Sequence, residues 1–222
     1  MPLPPGQREI DGFPRFGTHL HHPPPPVPPN PTLELAGALR EPRTLSLDDL
    51  AELPRREQVA DFHCVAGWTA TDLRWAGTPF ATLYRERVAP VTTAPISHVV
   101  FAGLDGYRSV ALLDDAMADD VLIADHLDGA PLDSDHGAPL RLVSPSQYGF
   151  VNTKHLCRIE FHTTAPPDPD RFSPLAGHRR ARVWAEERHR YLPGRIIRPI
   201  YHRLIGPIRR LSAKGSTVRP LS

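Results

Sequence analysis

The stretch that decides the fold reads Asp61-Phe62-His63-Cys64-Val65-Ala66-Gly67-Trp68, where a cysteine stands between strand-like apolar residues and a Gly-Trp turn. Cys64 is one of two cysteines in the 222-residue chain, so no disulfide framework accounts for it. A cysteine at this position is better explained as a metal ligand or a nucleophile than as half of a disulfide bond. The ordinary alternative is a buried structural cysteine, which is common for this residue type.

Around this stretch, composition and pattern predict many short elements. The 27 prolines argue against a helical bundle and favour strands, turns and long covering loops. Alternating or β-branched runs predict strands at 32–37, 59–65, 96–102, 107–113, 127–132, 140–143 and 155–161. Turn and capping signals predict short helices at 46–53 and 81–85 and another from 116, with a turn at 75–80 between strand and helix. We therefore predict an α+β fold of mostly short, mixed β-strands with short helices, followed by a helical C-terminal tail.

Three regions follow from these patterns. Residues 1–31 form a proline-rich arm, which is either a rigid linker or a cover for a cofactor. Residues 32–165 form the main domain, and residues 166–222 form a basic, partly helical extension. Helices are predicted at 179–190 and 195–211.

Charge is divided unevenly between body and tail. Residues 175–222 carry twelve Lys or Arg and two acidic residues, a net charge of +10, which leaves −9 on residues 1–174 of a chain whose net charge is +1. The tail is expected to dock on the acidic body, or else to reach a partner protein or a membrane surface as a peripheral contact. Nucleic-acid binding is not expected, because no recognised module accompanies the charge.

The N-terminus and the low cysteine count predict a location. No apolar run is long enough to span a bilayer, and the first residues lack the features of an export signal. Two cysteines fit a reducing compartment. The expectation is a cytoplasmic protein.

Individual side chains leave several chemistries open. A zinc site could be assembled from Cys64, His98, His136, His155 and Cys157, although no ligand spacing supports it. A Cys-His nucleophilic pair is equally open. Arg141 after a Gly-Ala-Pro turn, with Lys154 and its neighbours, suggests anion binding, and surface positions are the alternative.

Taken in order, these pieces resemble the molybdopterin-binding domain of the sulfite oxidase family over roughly residues 32–165. The matching pieces are Cys64 before a Gly-Trp turn, Trp75-Ala76-Gly77, the run 114–124, Asp128-Gly129-Ala130-Pro131-Leu132, His136 to Arg141, Pro145 to Gly149, and Lys154. The resemblance implies the fold of that domain and a molybdenum–molybdopterin cofactor. It implies Cys64 as the thiolate ligand of molybdenum, a metal that suits a soft donor.

The resemblance also implies cofactor-binding residues. His136 and Arg141 would hold the pterin and its phosphate, and Asn152, Thr153 and Lys154 would close over the phosphate. Arg15 and His19 are candidates on an arm that covers the pterin.

Two departures from the family pattern weaken the case for sulfite as substrate. Asp125 stands where the animal and plant enzymes have a tyrosine, and Gly17-Thr18-His19-Leu20 lacks their arginine. The chain is more similar to small bacterial members, including the catalytic subunit of the methionine sulfoxide reductase system.

The function expected from the resemblance is two-electron oxygen-atom transfer on a small S- or N-containing substrate. The chain holds no haem or iron–sulfur ligand set, so a separate electron-transfer partner is expected. The alternatives are a zinc or thiol hydrolase built on Cys64 and nearby histidines, and a non-catalytic pterin-binding protein.

Overall fold

The computed structural model describes residues 2–15, 23–167 and 177–215. The described strands are β1 (Arg8–Glu9), β2 (Thr32–Gly37), β3 (Arg43–Ser46), β4 (Arg56–His63), β5 (Trp68–Pro79), β6 (His98–Gly103), β7 (Arg108–Leu112), β8 (Leu122–Leu127), β9 (Ala130–Pro131), β10 (Arg141–Val143) and β11 (Leu156–His162). The described α-helices are α1 (Leu47–Ala51), α2 (Phe80–Leu83), α3 (Leu113–Ala116) and α4 (Gly194–Gly215). A π-helical turn (Tyr84–Val88) and a 3-10 turn (Ala89–Val91) continue α2. The predicted α+β class with a C-terminal helix is confirmed.

The strands form two sheets. In the first, the order is β1-β5-β8-β10, with β4 paired to β5 and β9 paired to β8. In the second, the order is β3-β2-β11-β6-β7. The pairs β1–β5 and β2–β11 are parallel, and the other pairs are antiparallel. Because β5 is twelve residues long and pairs with three strands, the hairpin that it forms with β4 is held firmly in place.

Buried apolar side chains gather in two clusters. The larger one contains inward-facing residues of the second sheet, among them Leu33, Leu35, Ile159 and Phe161. The smaller one lies on the first sheet and consists of Cys64, Ala66, Trp68, Ala70, Leu73, Trp75, Leu122, Ala124, Leu132 and Val143. We call this smaller set the Cys64 cluster. The thiol is thus embedded in packed apolar side chains.

Some predicted elements differ from the observed ones. The turn predicted at 75–80 is wrong, because these residues continue β5 and begin α2. The helix predicted from 116 is wrong in position, since α3 begins at Leu113 and residues 122–127 are a strand. The capping box before α1 is confirmed: the Asp49 amide donates to Ser46 Oγ at 3.1 Å, and the Ser46 amide donates to Asp49 Oδ2 at 2.7 Å.

The C-terminal extension contains one of its two predicted helices. The helix predicted at 179–190 is wrong, because these residues form turns in which Ala181 and Glu186 have φ of +53° and +52°. The helix predicted at 195–211 is confirmed as α4, which runs through two exposed prolines. Within the described ranges, no helix is long and apolar enough to cross a bilayer.

Candidate active site

Cys64 lies in the tight turn between β4 and β5. Its amide donates to the Trp68 carbonyl at 2.8 Å, and the Gly67 amide donates to the Cys64 carbonyl at 2.9 Å. Gly67 has φ of +103°, a conformation that favours glycine. Burial raises the pKa of the Cys64 thiol to about 12, so without a metal the group is a neutral thiol. A bound metal ion would have to displace this proton.

Arg141 is a fully buried cation at the start of β10. Its guanidinium carbon lies 4.9 Å from the ring centre of Trp75, 5.5 Å from that of Phe13 and 5.6 Å from that of Phe62. Nη1 donates to the His136 carbonyl at 2.9 Å. Nε and Nη2 are buried and have no hydrogen-bond partner among the described residues. Burial lowers the pKa of Arg141 to about 9, which still leaves it cationic at neutral pH. A buried cation with unused donors is suited to receive an anion.

Lys154 and Arg15 add positive charge beside Arg141. Lys154 Nζ donates to the Asp135 carbonyl at 2.7 Å, and Arg15 Nε lies 3.7 Å from Asp135 Oδ1. Burial, followed by the charges of Arg141 and Arg15, lowers the pKa of Lys154 to about 7. The absence of a side chain at Gly137 lets its backbone approach Lys154 closely, since a Cβ on Gly137 would lie 3.1 Å from Lys154 Cβ. Two of the predicted phosphate-binding residues therefore share one buried, cationic region.

His136 ties the N-terminal arm to this region. Its Nδ1 lies 2.8 Å from Asp133 Oδ1, and its Nε2 lies 2.8 Å from the Phe13 carbonyl. The imidazole also stacks on the Phe13 ring, with 5.0 Å between ring centres. The arm residues 13–15 thus lie over Arg141 and beside Lys154.

Asn152 and Thr153 make hydrogen bonds inside the protein. Asn152 Oδ1 accepts from the Ser144 amide at 2.5 Å, and Thr153 Oγ1 lies 2.7 Å from Ser109 Oγ. These contacts fix the loop that leads to Lys154. The predicted contact of both side chains with a phosphate stays a prediction, and His19 lies outside the described residues.

The residues of the alternative zinc site do not meet. Among the described residues, no three His, Cys, Asp or Glu side chains are grouped so that they could hold a metal ion. His155 Nδ1 lies 2.8 Å from the Ala138 carbonyl, and Cys157 Sγ donates to the Ala102 carbonyl at 3.5 Å. Asp125 accepts two hydrogen bonds of 2.7 Å from Arg55.

Sequence reasoning missed several residues around the site. Asp133 and Asp135 had no recognisable motif, Phe62 was given no role within the Cys64 stretch, and Arg188 fell within the wrongly predicted helix. Arg188 Nη1 donates to the Val65 carbonyl at 2.5 Å, next to Cys64, from 123 residues away in the chain. No local sequence signal reports such a contact.

A buried thiol beside buried cations and aromatic rings forms a donor set for an anionic cofactor whose metal accepts a soft thiolate. The model of the family described as "Oxidoreductase molybdopterin binding domain" matches residues 21–169, and the chain belongs to this family. It is therefore a molybdopterin-binding oxidoreductase, with molybdenum and molybdopterin as its cofactor.

Relatives of this chain include proteins named as an oxidoreductase and as a reductase. It is 31% identical to the uncharacterized oxidoreductase YuiH of Bacillus subtilis (strain 168), over 70% of this chain and 76% of YuiH. It is 30% identical to the protein-methionine-sulfoxide reductase catalytic subunit MsrP of Xanthomonas axonopodis pv. citri (strain 306), over 73% of this chain and 57% of MsrP.

A solved structure shares the fold. The crystal structure of the sulfane dehydrogenase SoxCD from Paracoccus pantotrophus matches with a TM-score of 0.57 and 22% identity. The match covers 69% of this chain and 44% of the SoxCD chain. The likeness supports the fold alone.

Proposed function

We propose that this oxidoreductase catalyses two-electron oxygen-atom transfer on a small S- or N-containing substrate. The observation that carries the proposal is that Cys64, a buried thiol, shares a cluster with Trp75 and with Phe62 packed against it, and that Arg141, a buried cation with unused donors, lies over both of these rings. Sulfur chemistry is supported by the relative MsrP, whose name describes a protein-methionine-sulfoxide reductase. The activities of full-length relatives are proposals for this chain.

The residues present fit the cofactor. Arg141 Nε and Nη2 and Trp75 Nε1 are buried donors that lack a partner among the described residues, and an anionic pterin would satisfy them. Cys64 would bind molybdenum as a thiolate, and Arg141, Lys154 and Arg15 would bind the phosphate. The bound cofactor supplies the two-electron redox chemistry.

The protein's own contribution is charge, shape and exclusion of water. Arg141 stays cationic in its apolar surroundings, so it attracts an anion without the screening of bulk water. Lys154, whose pKa is lowered to about 7, would take up a proton when an anion binds beside it. His136 keeps Phe13 over the site through its contact with the Phe13 carbonyl.

Metal analysis tests the proposal. Protein purified from a molybdopterin-competent host should contain near-stoichiometric molybdenum by mass spectrometry and should release a fluorescent oxidised pterin. The Cys64→Ser variant should lose most of the metal. Zinc in place of molybdenum would overturn the proposal in favour of a hydrolase. A Cys64→Ser variant with unchanged cofactor content and biological role would favour a non-catalytic pterin-binding protein.

The electron partner would be a separate protein that docks on the basic extension. α4 exposes Ile196 and Ile200 to solvent, at 57% and 49%, beside the exposed Arg195 and Arg203. Deletion of the whole extension would be a poor test, because its inner face is part of the packed protein.

Substitutions on the exposed face provide a better test. A double variant, Ile196→Ser with Ile200→Ser, should slow turnover that depends on the partner and leave dye-linked turnover unchanged. Equal loss of both would contradict docking on this face. Binding of the purified protein to anionic vesicles, lost in the same variant, would instead indicate a peripheral membrane contact. We retain the cytoplasmic location as part of the proposal, to be tested by cell fractionation.

A further inference from the structure

Segments from both ends of the chain meet over the Cys64 turn. From the N-terminal side, Gln7 Nε2 donates to the Cys64 carbonyl at 3.1 Å, and the Arg8 amide donates to the Gly67 carbonyl at 3.1 Å. From the C-terminal side, Arg188 donates to the Val65 carbonyl, and His202 of α4 lies against Gly67. Cys64 is only 5% exposed.

Arg188 is the buried link among these segments, with a fully buried side chain. It donates from Nη1 to the Val65 carbonyl at 2.5 Å, and from Nη2 to the Pro5 carbonyl at 2.9 Å. Its Nε donates to Glu186 Oε1 at 3.3 Å. Its guanidinium lies 5.0 Å from the ring centre of Tyr148. Every nitrogen of Arg188 is engaged, and one of them holds the residue next to Cys64.

One face of α4 lies against the Cys64 turn. Ile197, Tyr201 and Ile205 follow one another at four-residue spacing, which places them on a single helix face. Ile197 and Tyr201 are buried, and Ile205 packs against the Cys64 cluster. His202 Nε2 lies 3.3 Å from the Gly6 carbonyl. The helix approaches the bare backbone of the turn so closely that a Cβ on Gly67 would lie 2.2 Å from His202 Nε2.

Among the three side chains of this face, Tyr201 carries the polar, ionisable group, a phenol. It is 6% exposed. It precedes His202, whose ring lies against Gly67 of the Cys64 turn, and it stands one helical turn before Ile205, which packs against the Cys64 cluster.

We propose that the C-terminal extension is part of the active site. In this arrangement α4 covers the thiol and controls access to it. Arg188 is a positioning residue that fixes the turn through the Val65 carbonyl. Tyr201 contributes its phenol to the wall of the site beside Cys64. The inference rests on the proposed role of Cys64 as the molybdenum ligand, but its cover can be tested without the cofactor.

The first test measures thiol labelling in the cofactor-free full-length chain. A Cys157→Ser background leaves Cys64 as the only thiol. Labelling by N-ethylmaleimide, followed by intact-mass spectrometry, should be at least about a hundredfold slower in the native protein than in denaturant, because it requires local opening. Native labelling within about threefold of the denatured rate would overturn the cover.

A matched pair of variants assigns the protection to α4. Ile197→Asp places a charge on the buried face and should speed labelling by about tenfold or more. Ile196→Asp, one residue away and exposed, should change it by less than about twofold. Equal effects of the two variants would show that α4 does not cover Cys64. Circular dichroism on both variants distinguishes undocking of the helix from global unfolding. If Ile197→Asp unfolds, the pair Ile205→Ser (inner face) and Ile200→Ser (exposed face) replaces it, with the same expected difference in labelling rate.

The second test assigns the two side chains. In the molybdenum-loaded enzyme, Tyr201→Phe should shift the electron paramagnetic resonance spectrum of the metal while labelling of the cofactor-free chain stays slow. An unchanged spectrum would remove Tyr201 from the site. Arg188→Met should speed labelling, and Arg188→Lys should restore part of the protection; failure of lysine to do better than methionine would contradict the positioning role. If the wild-type chain carries no molybdenum, the proposed function fails, whereas the labelling results still decide the cover.

Discussion

Two buried arginines in this protein should respond in opposite ways to the same substitution. Arg141 and Arg188 are both fully buried. Arg141 has two nitrogens without a partner among the described residues, whereas all three nitrogens of Arg188 donate to oxygen atoms. We therefore expect methionine, which is similar in length and apolar, to be tolerated at 141 and harmful at 188 in the cofactor-free protein.

The magnitude for Arg141 follows from the cost of its burial. Its pKa falls from 12.5 to about 9. Both values lie above neutral pH, so the group is cationic in the folded and unfolded states at pH 7, and the full cost, on the order of 5 kcal/mol, opposes folding. Methionine removes this cost but loses the hydrogen bond to the His136 carbonyl and the ring contacts, together about 3–5 kcal/mol. The net change should be about zero or slightly stabilising.

Arg188→Met has no such gain to offset its losses. It leaves the Val65 and Pro5 carbonyls without their donor and Glu186 with one fewer cation, which should cost about 3–5 kcal/mol. For a chain of this size, that corresponds to a fall in the melting temperature of roughly 6–20 °C.

The assay is urea and thermal unfolding of cofactor-free protein from a molybdopterin-deficient host. Protein purified with its cofactor is compared in parallel. In that protein, the molybdopterin content of the Arg141→Met variant should be at least about tenfold lower than that of the wild type, because two charge-assisted donors are lost. Equal destabilisation by both substitutions in the cofactor-free protein would refute the view that Arg141 is buried at a cost in stability, with donors that a bound anion would satisfy.

Three further predictions concern single sites. The lowered pKa of Lys154 means that the unfolded chain binds more protons than the folded one between about pH 7 and 10.5. The free energy of unfolding should therefore rise with pH from 7 to 9. Lys154→Met should flatten that rise, as measured by urea unfolding at a series of pH values. Gly67→Ala should cost at least about 1 kcal/mol more than Gly106→Ala in urea unfolding, since both glycines have positive φ but only Gly67 faces a neighbour at 2.2 Å. Trp75→Phe removes a buried donor without a partner among the described residues; it should leave the unfolding free energy of the cofactor-free protein within about 1 kcal/mol and weaken molybdopterin retention, measured by pterin fluorescence.

The fold could be predicted where local pattern and tertiary environment agree. β2 and β11 were predicted because their apolar residues alternate or are β-branched, and both face the larger core. Gly77 misled the prediction, since it suggested a turn within what is β5. The structure gives another reason for that glycine: β8 passes so close that a Cβ would lie 2.1 Å from the Ile123 carbonyl oxygen.

The wrongly predicted helix at 179–190 shows tertiary contacts overriding local propensity. No glycine or proline interrupts this stretch, so sequence alone favours a helix. In the structure, the Tyr148 amide donates to the Ala181 carbonyl at 2.9 Å, and Arg188 and Arg198 hold the Glu186 carboxylate. These partners lie far away in sequence, so a short-range pattern carries no sign of them.

The same reasoning separates the parts of the site that sequence could and could not predict. Cys64, Arg141 and Lys154 stood out because thiol, guanidinium and ammonium groups have distinctive chemistry beside turn residues. Phe13 and Arg188 act through backbone carbonyls and ring contacts made across the whole chain, which residue type does not announce.

The unequal pairing of the two buried arginines also bears on how the site is built. Every nitrogen of Arg188 donates to an oxygen of the protein, so it links the N-terminal segment, the Cys64 turn and Glu186 through the protein's own acceptors. Arg141 is incompletely satisfied, so its burial is favourable only when an anion supplies the missing acceptors. Binding of the anion removes the cost of leaving Arg141 unpaired, and this free energy adds to the affinity for the anion. The hydrogen bonds of Arg188 keep the thiol in place while the anion binds.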